Sequence, residues 1–211
     1  MRTIADNIAE IRNNIEIARK KSPCPEQEIT LVAVTKMHSA EEIHQVLAAG
    51  QTLLGENRVQ ELLDKYEAVG DGATWHIIGH LQSNKVKYIT DKVAMIHSLE
   101  SESLAKELST RMQALGKTMD CLVQVNIADE ESKFGLERDA VLPFIEQVSQ
   151  LPGIHIKGLM HIAPYFEKRF ITPDGAGTKD GKSWENAWSY SNLRGKISNS
   201  SNNGGVKLTN H

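Results

Sequence analysis

From residue 29 onward, six short apolar runs alternate with longer amphipathic ones. ITLVAVT (29–35) precedes SAEEIHQVLAAG (39–50), TLLGE (52–56) precedes NRVQELLDKYEAVG (57–70), and WHIIG (75–79) precedes SNKVKYIT (83–90). The rhythm continues through VAMIHSL (93–99), SESLAKELSTRMQALG (101–116), DCLVQVNIA (120–128) and LERDAVLPFIEQVSQ (136–150), and it closes on IHIKGLM (154–160). Apolar strands joined by helices of this length predict a parallel sheet covered by helices. Two architectures meet that description, an open doubly wound sheet and a (β/α)8 barrel. The first strand is followed by no GxGxxG, which weakens the dinucleotide-binding version of the open sheet. A barrel takes eight units and typically about 250 residues. This chain of 211 residues supplies six such units, so both α/β architectures stay open at this point.

The helices carry their own signals. Ser39 and Glu42 form a capping box, Ile43, Val46 and Leu47 make an inner face, and Gly50 suits the C-terminal cap. Val59, Leu62, Leu63 and Tyr66 fall on one side of the next helix, and Leu104, Leu108, Met112 and Leu115 line up on another. Pro143 disturbs the first half of its helix. At the N-terminus, Ile4, Ile8, Ile11, Ile15 and Ala18 form a helical stripe where a signal peptide would need a continuous apolar stretch. Cys24 and Cys121 stand alone, and no stretch approaches the roughly 20 apolar residues of a membrane span, so a reducing cytoplasm is expected. The net charge of −3 gives no footprint for nucleic acid. The partner expected is a small molecule, with no membrane involved and the oligomeric state open.

One residue contradicts its surroundings. LVAV (31–34) reads as a core strand, yet the run closes on Thr35 and Lys36. In parallel α/β proteins the chemistry sits at the C-terminal ends of the strands. Asn57, GHLQSNK (79–85), NIADEESKFG (126–135), Met160 and His161 would share that rim with Lys36. A lysine partly buried there is more readily neutral, and a neutral amine attacks aldehydes. Pyridoxal 5'-phosphate is an aldehyde cofactor held in this way. The competing reading is a lysine that snorkels from a strand end into water.

LVAVTK, LLGENRVQE, WHIIGHLQSNK, VQVNIADEESKFG and IKGLMHIAP resemble, in order and spacing, the motifs of the pyridoxal phosphate homeostasis proteins, the YggS-like family, over residues 1–166. The resemblance implies a barrel like the N-terminal barrel of alanine racemase, carrying pyridoxal 5'-phosphate as a Schiff base on the lysine that matches Lys36. It implies a binder that keeps the cofactor in balance, with no established reaction. By the same carry-over Asn57 and Met160 face the cofactor, while Val34 and His76, of inward parity, line the pocket. His161 departs from the family, which usually has a small polar residue there.

The family continues with two more units, a Ser- and Gly-rich phosphate loop and an RIG-type motif, and neither motif occurs after residue 166. The resemblance therefore implies an α/β fold that is a truncated (β/α)8 barrel, with six parallel strands in a curved, open sheet whose unpaired outer edges on the first and sixth invite aggregation. It also implies a chain that keeps the imine-forming lysine without the usual phosphate cradle. The alternatives are a racemase-like enzyme of the same fold type and an inactive, truncated or chimeric fragment. A racemase needs a second acid/base, normally a tyrosine from another domain, and Tyr66, Tyr88, Tyr165 and Tyr190 sit in no motif for it. Residues 167–211 form a separate Gly/Ser/Asn-rich tail, in which TPDGAGTKDGKSWENAW resembles the opening of secreted parallel β-helix proteins. A short helix around Trp184 and Trp188 is plausible there.

Other residues have plain readings. His76 and His80 lie on a strand-to-loop stretch, which argues against zinc. SNK (83–85) offers a helix cap or an anion site. Trp75 belongs to the core, and Glu130 and Glu131 are solvated loop charges.

Overall fold

The computed structural model describes residues 2–23, 25–126, 134–162, 178–179 and 182–183. Helix α1, Ile4–Lys20, opens on a reciprocal capping box in which the Thr3 hydroxyl takes the Asp6 amide and the Asp6 carboxylate takes the Thr3 amide. The six expected strands follow as β1 (Ala33–Val34), β2 (Leu53–Glu56), β3 (Thr74–Ile77), β4 (Val93–Leu99), β5 (Met119–Gln124) and β6 (Ile154–Met160). They lie in chain order in one sheet, and every neighbouring pair is parallel. Helices α2 (Ala40–Ala48), α3 (Val59–Val69), α4 (Glu102–Ala114) and α5 (Arg138–Val148) make the crossovers. Between β3 and β4 the crossover is a 3-10 helix, Ser83–Tyr88. A two-residue antiparallel pair, β7 (Thr178–Lys179) and β8 (Lys182–Ser183), stands apart from this sheet.

Period-two alternation sorts the strand residues onto two faces. Leu54, Trp75, Ile77, Cys121, Val123 and Ile156 point to the helices and are buried against Ile43, Leu62, Leu104, Leu108, Val141 and Val148. Trp75 is core, as expected, at 1% exposure. The opposite face is the concave interior of the expected barrel. Gly55 marks it: a Cβ there would lie 3.0 Å from Ile78 Cδ1 and 3.1 Å from Val32 Cγ1, so these three residues share that face.

Several expectations need correction. The first strand is two residues long, not seven: its ladder with β2 covers Ala33 and Val34 alone. Leu31 is held instead by a side chain, its carbonyl accepting from Gln51 Nε2 at 2.8 Å. β6 likewise pairs only with β5 among the described residues, as expected of an open sheet. Ser83 does not cap a helix: it is the first residue of the 3-10 turn, and its hydroxyl meets Ser103 Oγ at 3.4 Å. α5 runs through Pro143. The stripe on α1 buries only Ile8 fully, and Ile11 remains 45% exposed. The expected boundary near 166, the Trp184–Trp188 helix, Cys24, Glu130, Glu131, Tyr165 and Tyr190 lie outside the described residues.

Candidate functional site

The C-terminal ends of the strands carry the residues singled out above. Lys36 follows β1 and is exposed, without the partial burial expected of it. No strand flanks β1 on its outer side among the described residues, which leaves Val34 48% exposed as well. The Lys36 ammonium has no hydrogen-bond or ion-pair partner among the described residues. It sits second in a four-residue turn, closed by the His38 amide donating to the Thr35 carbonyl at 3.1 Å. The third position, Met37, has φ +64°, a left-handed conformation that turns normally give to Gly or Asn.

Beneath that turn lies a buried charge network that the sequence reading missed. The Lys65 ammonium donates to Glu56 Oε1 at 2.7 Å, to Glu61 Oε1 at 2.7 Å and to the Thr35 carbonyl at 2.6 Å. Thr35 Oγ1 donates to the same Glu56 oxygen at 2.6 Å. Glu56 is fully buried and Lys65 is 8% exposed. Burial alone would lower the Lys65 ammonium, but hydrogen bonds and charge from Glu56 and Glu61 outweigh it, so the net shift is upward. The Lys65 hydrogen bond, with the Met37 amide next, holds the Glu61 carboxyl below its usual range. Two sequence signals pointed here: a glutamate closing the apolar run LLGE, and the i,i+4 spacing of Glu61 and Lys65.

Asn57 lies one residue past β2 and is half-buried. Its neighbour across the rim is Gly79, where a Cβ would fall 2.5 Å from the Asn57 carbonyl oxygen and 2.8 Å from its Cα. Only glycine allows that approach. Gly79→Ala should force the Asn57 backbone outward and cost about 1–3 kcal/mol as an overpacking change. A urea titration of the variant, with its lower midpoint, checks this.

His76 is buried on β3, on the same face as Ile78, and its Nδ1 lies 2.8 Å from Nε2 of His97 on β4. One ring must donate and the other accept, so the bridge cannot hold two fully protonated rings. Burial lowers His76, with a partial counter-pull from Asp120. Burial, reinforced by the charge of His76, pushes His97 down to about 4. The inner face thus presents neutral imidazoles at pH 7. Farther along it, His155 Nδ1 meets Asp120 Oδ1 at 2.8 Å. His97 was also missed, although its parity in VAMIHSL matches that of His76 in its own strand.

Met160 ends β6, and its carbonyl accepts from the Val125 amide at 2.9 Å. His80 pairs with Glu100 and stacks on Phe134, with ring centroids 4.1 Å apart. It therefore joins neither His76 nor a metal set, and among the described residues no three His, Cys, Asp or Glu side chains could hold a metal ion. The structure brings Lys36, Asn57 and Met160 to the same rim and puts Val34 and His76 on the inner face. It leaves Val34 and Lys36 open to solvent. The arrangement offers an uncommitted primary amine on a braced turn, an asparagine whose backbone is packed against Gly79, and uncharged imidazoles on the inner face.

Residues 7–181 match the family described as "Alanine racemase, N-terminal domain". A pyridoxal phosphate homeostasis protein of Pasteurella multocida (strain Pm70) is 36% identical over 163 residues, covering 76% of this chain and 70% of that one. The solved structure of PipY from Synechococcus elongatus PCC7942, with PLP bound, superposes with TM-score 0.67 at 34% identity, covering 78% of this chain and 72% of that one. An alanine racemase of Clostridium difficile 630 shares the fold at TM-score 0.52 and 15% identity, covering 72% of this chain and 40% of that one. The family match runs past the boundary expected near 166, and these comparisons lend the β-helix resemblance of the tail no support.

Proposed function

Because the chain belongs to the alanine racemase N-terminal domain family, and within it to the pyridoxal phosphate homeostasis proteins, we propose that it binds pyridoxal 5'-phosphate and serves to keep that cofactor in balance. The observation that carries this reading is the Lys36 amine, uncommitted and mounted on a braced turn at the C-terminal rim. When bound, the cofactor supplies an aldehyde carbon. Lys36 would be the residue that holds the group, its uncommitted primary amine being the nucleophile at this rim that suits an aldehyde carbon.

The residues present fit such a group. Gly79 lets the β3 end pack directly on the Asn57 backbone, and a side chain there would displace Asn57 from its place on the rim. Asn57 can donate or accept at the rim, and Met160 and Val34 supply apolar surface for a planar ring. His76, kept neutral by its surroundings, can hydrogen-bond without adding charge. The binder is the reading adopted because the curated relatives are named for homeostasis of the cofactor. Residues 1–166 carry this work, and the remainder of the chain is taken as dispensable for it. A reducing cytoplasm suits it, since Cys121 is a free thiol buried in the core.

The test is an absorbance titration of the purified full chain with pyridoxal 5'-phosphate. A band growing at the edge of the visible, which borohydride bleaches while fixing the cofactor to protein, is the expected result. Spectra that stay the sum of free cofactor and protein would refute the reading.

A further inference from the structure

The charges beneath the Lys36 turn have no place in cofactor binding as described above, yet they touch the residues on both sides of Lys36. On the N-terminal side, Thr35 is 3% exposed; its carbonyl takes Lys65 Nζ at 2.6 Å and its hydroxyl gives to Glu56 Oε1 at 2.6 Å. On the C-terminal side, the Met37 amide donates to Glu61 Oε1, the same oxygen that accepts from Lys65. Lys65 spends its three ammonium hydrogens on Thr35, Glu56 and Glu61. It therefore ties the end of β1, the end of β2 and the first turn of α3 together under one residue.

Met37 needs such an anchor. Its left-handed backbone is unfavourable for a residue with a Cβ. Its side chain is 91% exposed, so packing does not hold the conformation. Besides the turn bond from His38 to Thr35, the hydrogen bond from the Met37 amide to Glu61 is what holds it. We propose that Lys65 and Glu61 are positioning residues for Lys36: their ion pair, braced on Glu56, locks the Thr35–His38 turn and so sets the direction in which the Lys36 amine leaves the sheet. The inference rests on the pyridoxal phosphate reading for its consequence, while the clamp itself is a property of the cofactor-free chain. A displaced amine remains chemically competent but meets the aldehyde carbon in poor geometry, and misplacement of about 1 Å can cost roughly 10²-fold in rate.

Glu61 is the residue to change, because its side chain is 24% exposed and its loss does not strand a buried carboxylate. Lys65→Met would leave the buried Glu56 unpaired and could prevent folding, so it is unsuitable as the sole test. In the full chain, Glu61→Ala should speed hydrogen exchange at the Met37 amide by roughly tenfold or more, read by NMR without cofactor. It should also slow formation of the borohydride-trappable linkage at Lys36 by about 10- to 100-fold. Circular dichroism should show the fold retained. Glu61→Gln keeps an oxygen acceptor in place and should restore both readouts in large part. A faster-exchanging Met37 amide with linkage forming at the wild-type rate would overturn the proposal. So would slow linkage in Glu61→Ala with Met37 protection unchanged. If the wild-type chain forms no linkage but Glu61→Ala still releases the Met37 amide, the pyridoxal phosphate reading fails and the clamp stands.

Discussion

Lys36→Ala is expected to abolish the visible-edge absorbance proposed for the protein with pyridoxal 5'-phosphate, and to leave no borohydride-fixed cofactor on the peptide containing position 36. The expectation rests on a chemical requirement with no partial substitute: a C=N bond needs a primary amine, and alanine has none. Neighbouring lysines do not stand in. Lys65 is buried with all its hydrogens engaged by Thr35, Glu56 and Glu61. Lys85 and Lys87 lie on the 3-10 helix near the Tyr88 ring, at 5.9 and 4.9 Å from its centroid. Lys36→Arg is the sharper control. It keeps the positive charge and most of the reach, but a guanidinium stays protonated and forms no imine. Both variants should unfold close to wild type, since an exposed side chain without partners contributes little to stability. Peptide mapping after borohydride decides the matter: fixed cofactor on another lysine, with Lys36→Ala labelled as well as wild type, would remove Lys36 from the site.

The parts of this site that could be read from sequence were those in which one residue contradicted its local pattern. Lys36 closing an apolar strand was such a contradiction, and the long runs around it carried the family resemblance. Glu56 closing LLGE is the same contradiction, a charged residue at the end of an apolar run. Its meaning depends on Lys65, nine residues on, which in the sequence is one more charge on an amphipathic helix. Burial of that pair follows from the packing of α3 against β2, a contact that helical periodicity implies but does not place. The capping boxes at Thr3 and Ser39 are local chemistry; the one at Ser39 was read from the sequence and is present. The length of β1 was misjudged for a different reason. ITLVAVT has ample strand propensity, but a strand becomes regular only where a partner supplies its ladder, and propensity carries no information about partners. SNKVKYIT does not run on as an α-helix; it takes a 3-10 turn that buries Val86 and Ile89, three residues apart, on one side.

Acid should weaken the fold well before its carboxylates titrate, and the His76–His97 pair is the cause. His97 is held down to about 4 from an ordinary value of 6.5, first by burial and then by the nearby His76, which burial also lowers. In the unfolded chain both rings take up protons near pH 6.5, whereas in the fold they resist. The unfolded state therefore binds more protons between pH 6.5 and 4, and stability falls as pH drops through that window. The His97 contribution is fully present above pH 6.5 and gone below about 4. At about 1.4 kcal/mol per pH unit from 6.5 to about 4, it amounts to at most about 3.5 kcal/mol, an upper limit because the ring keeps some contact with water. A bridge of 2.8 Å between two ring nitrogens adds a geometric reason, since a second proton would set two donors against each other. The lowered acids, Glu61 among them, lose their contribution only as pH falls below their unfolded value of 4.5, so most of the histidine window stands clear of them. Urea unfolding at pH 7, 6, 5 and 4.5 should show a midpoint that declines steadily across the series. His97→Gln, which keeps a hydrogen-bonding side chain and cannot titrate, should flatten most of that decline. A wild-type midpoint that holds constant from pH 7 to 4.5, or a decline unchanged by His97→Gln, would show that the buried imidazoles do not govern acid stability.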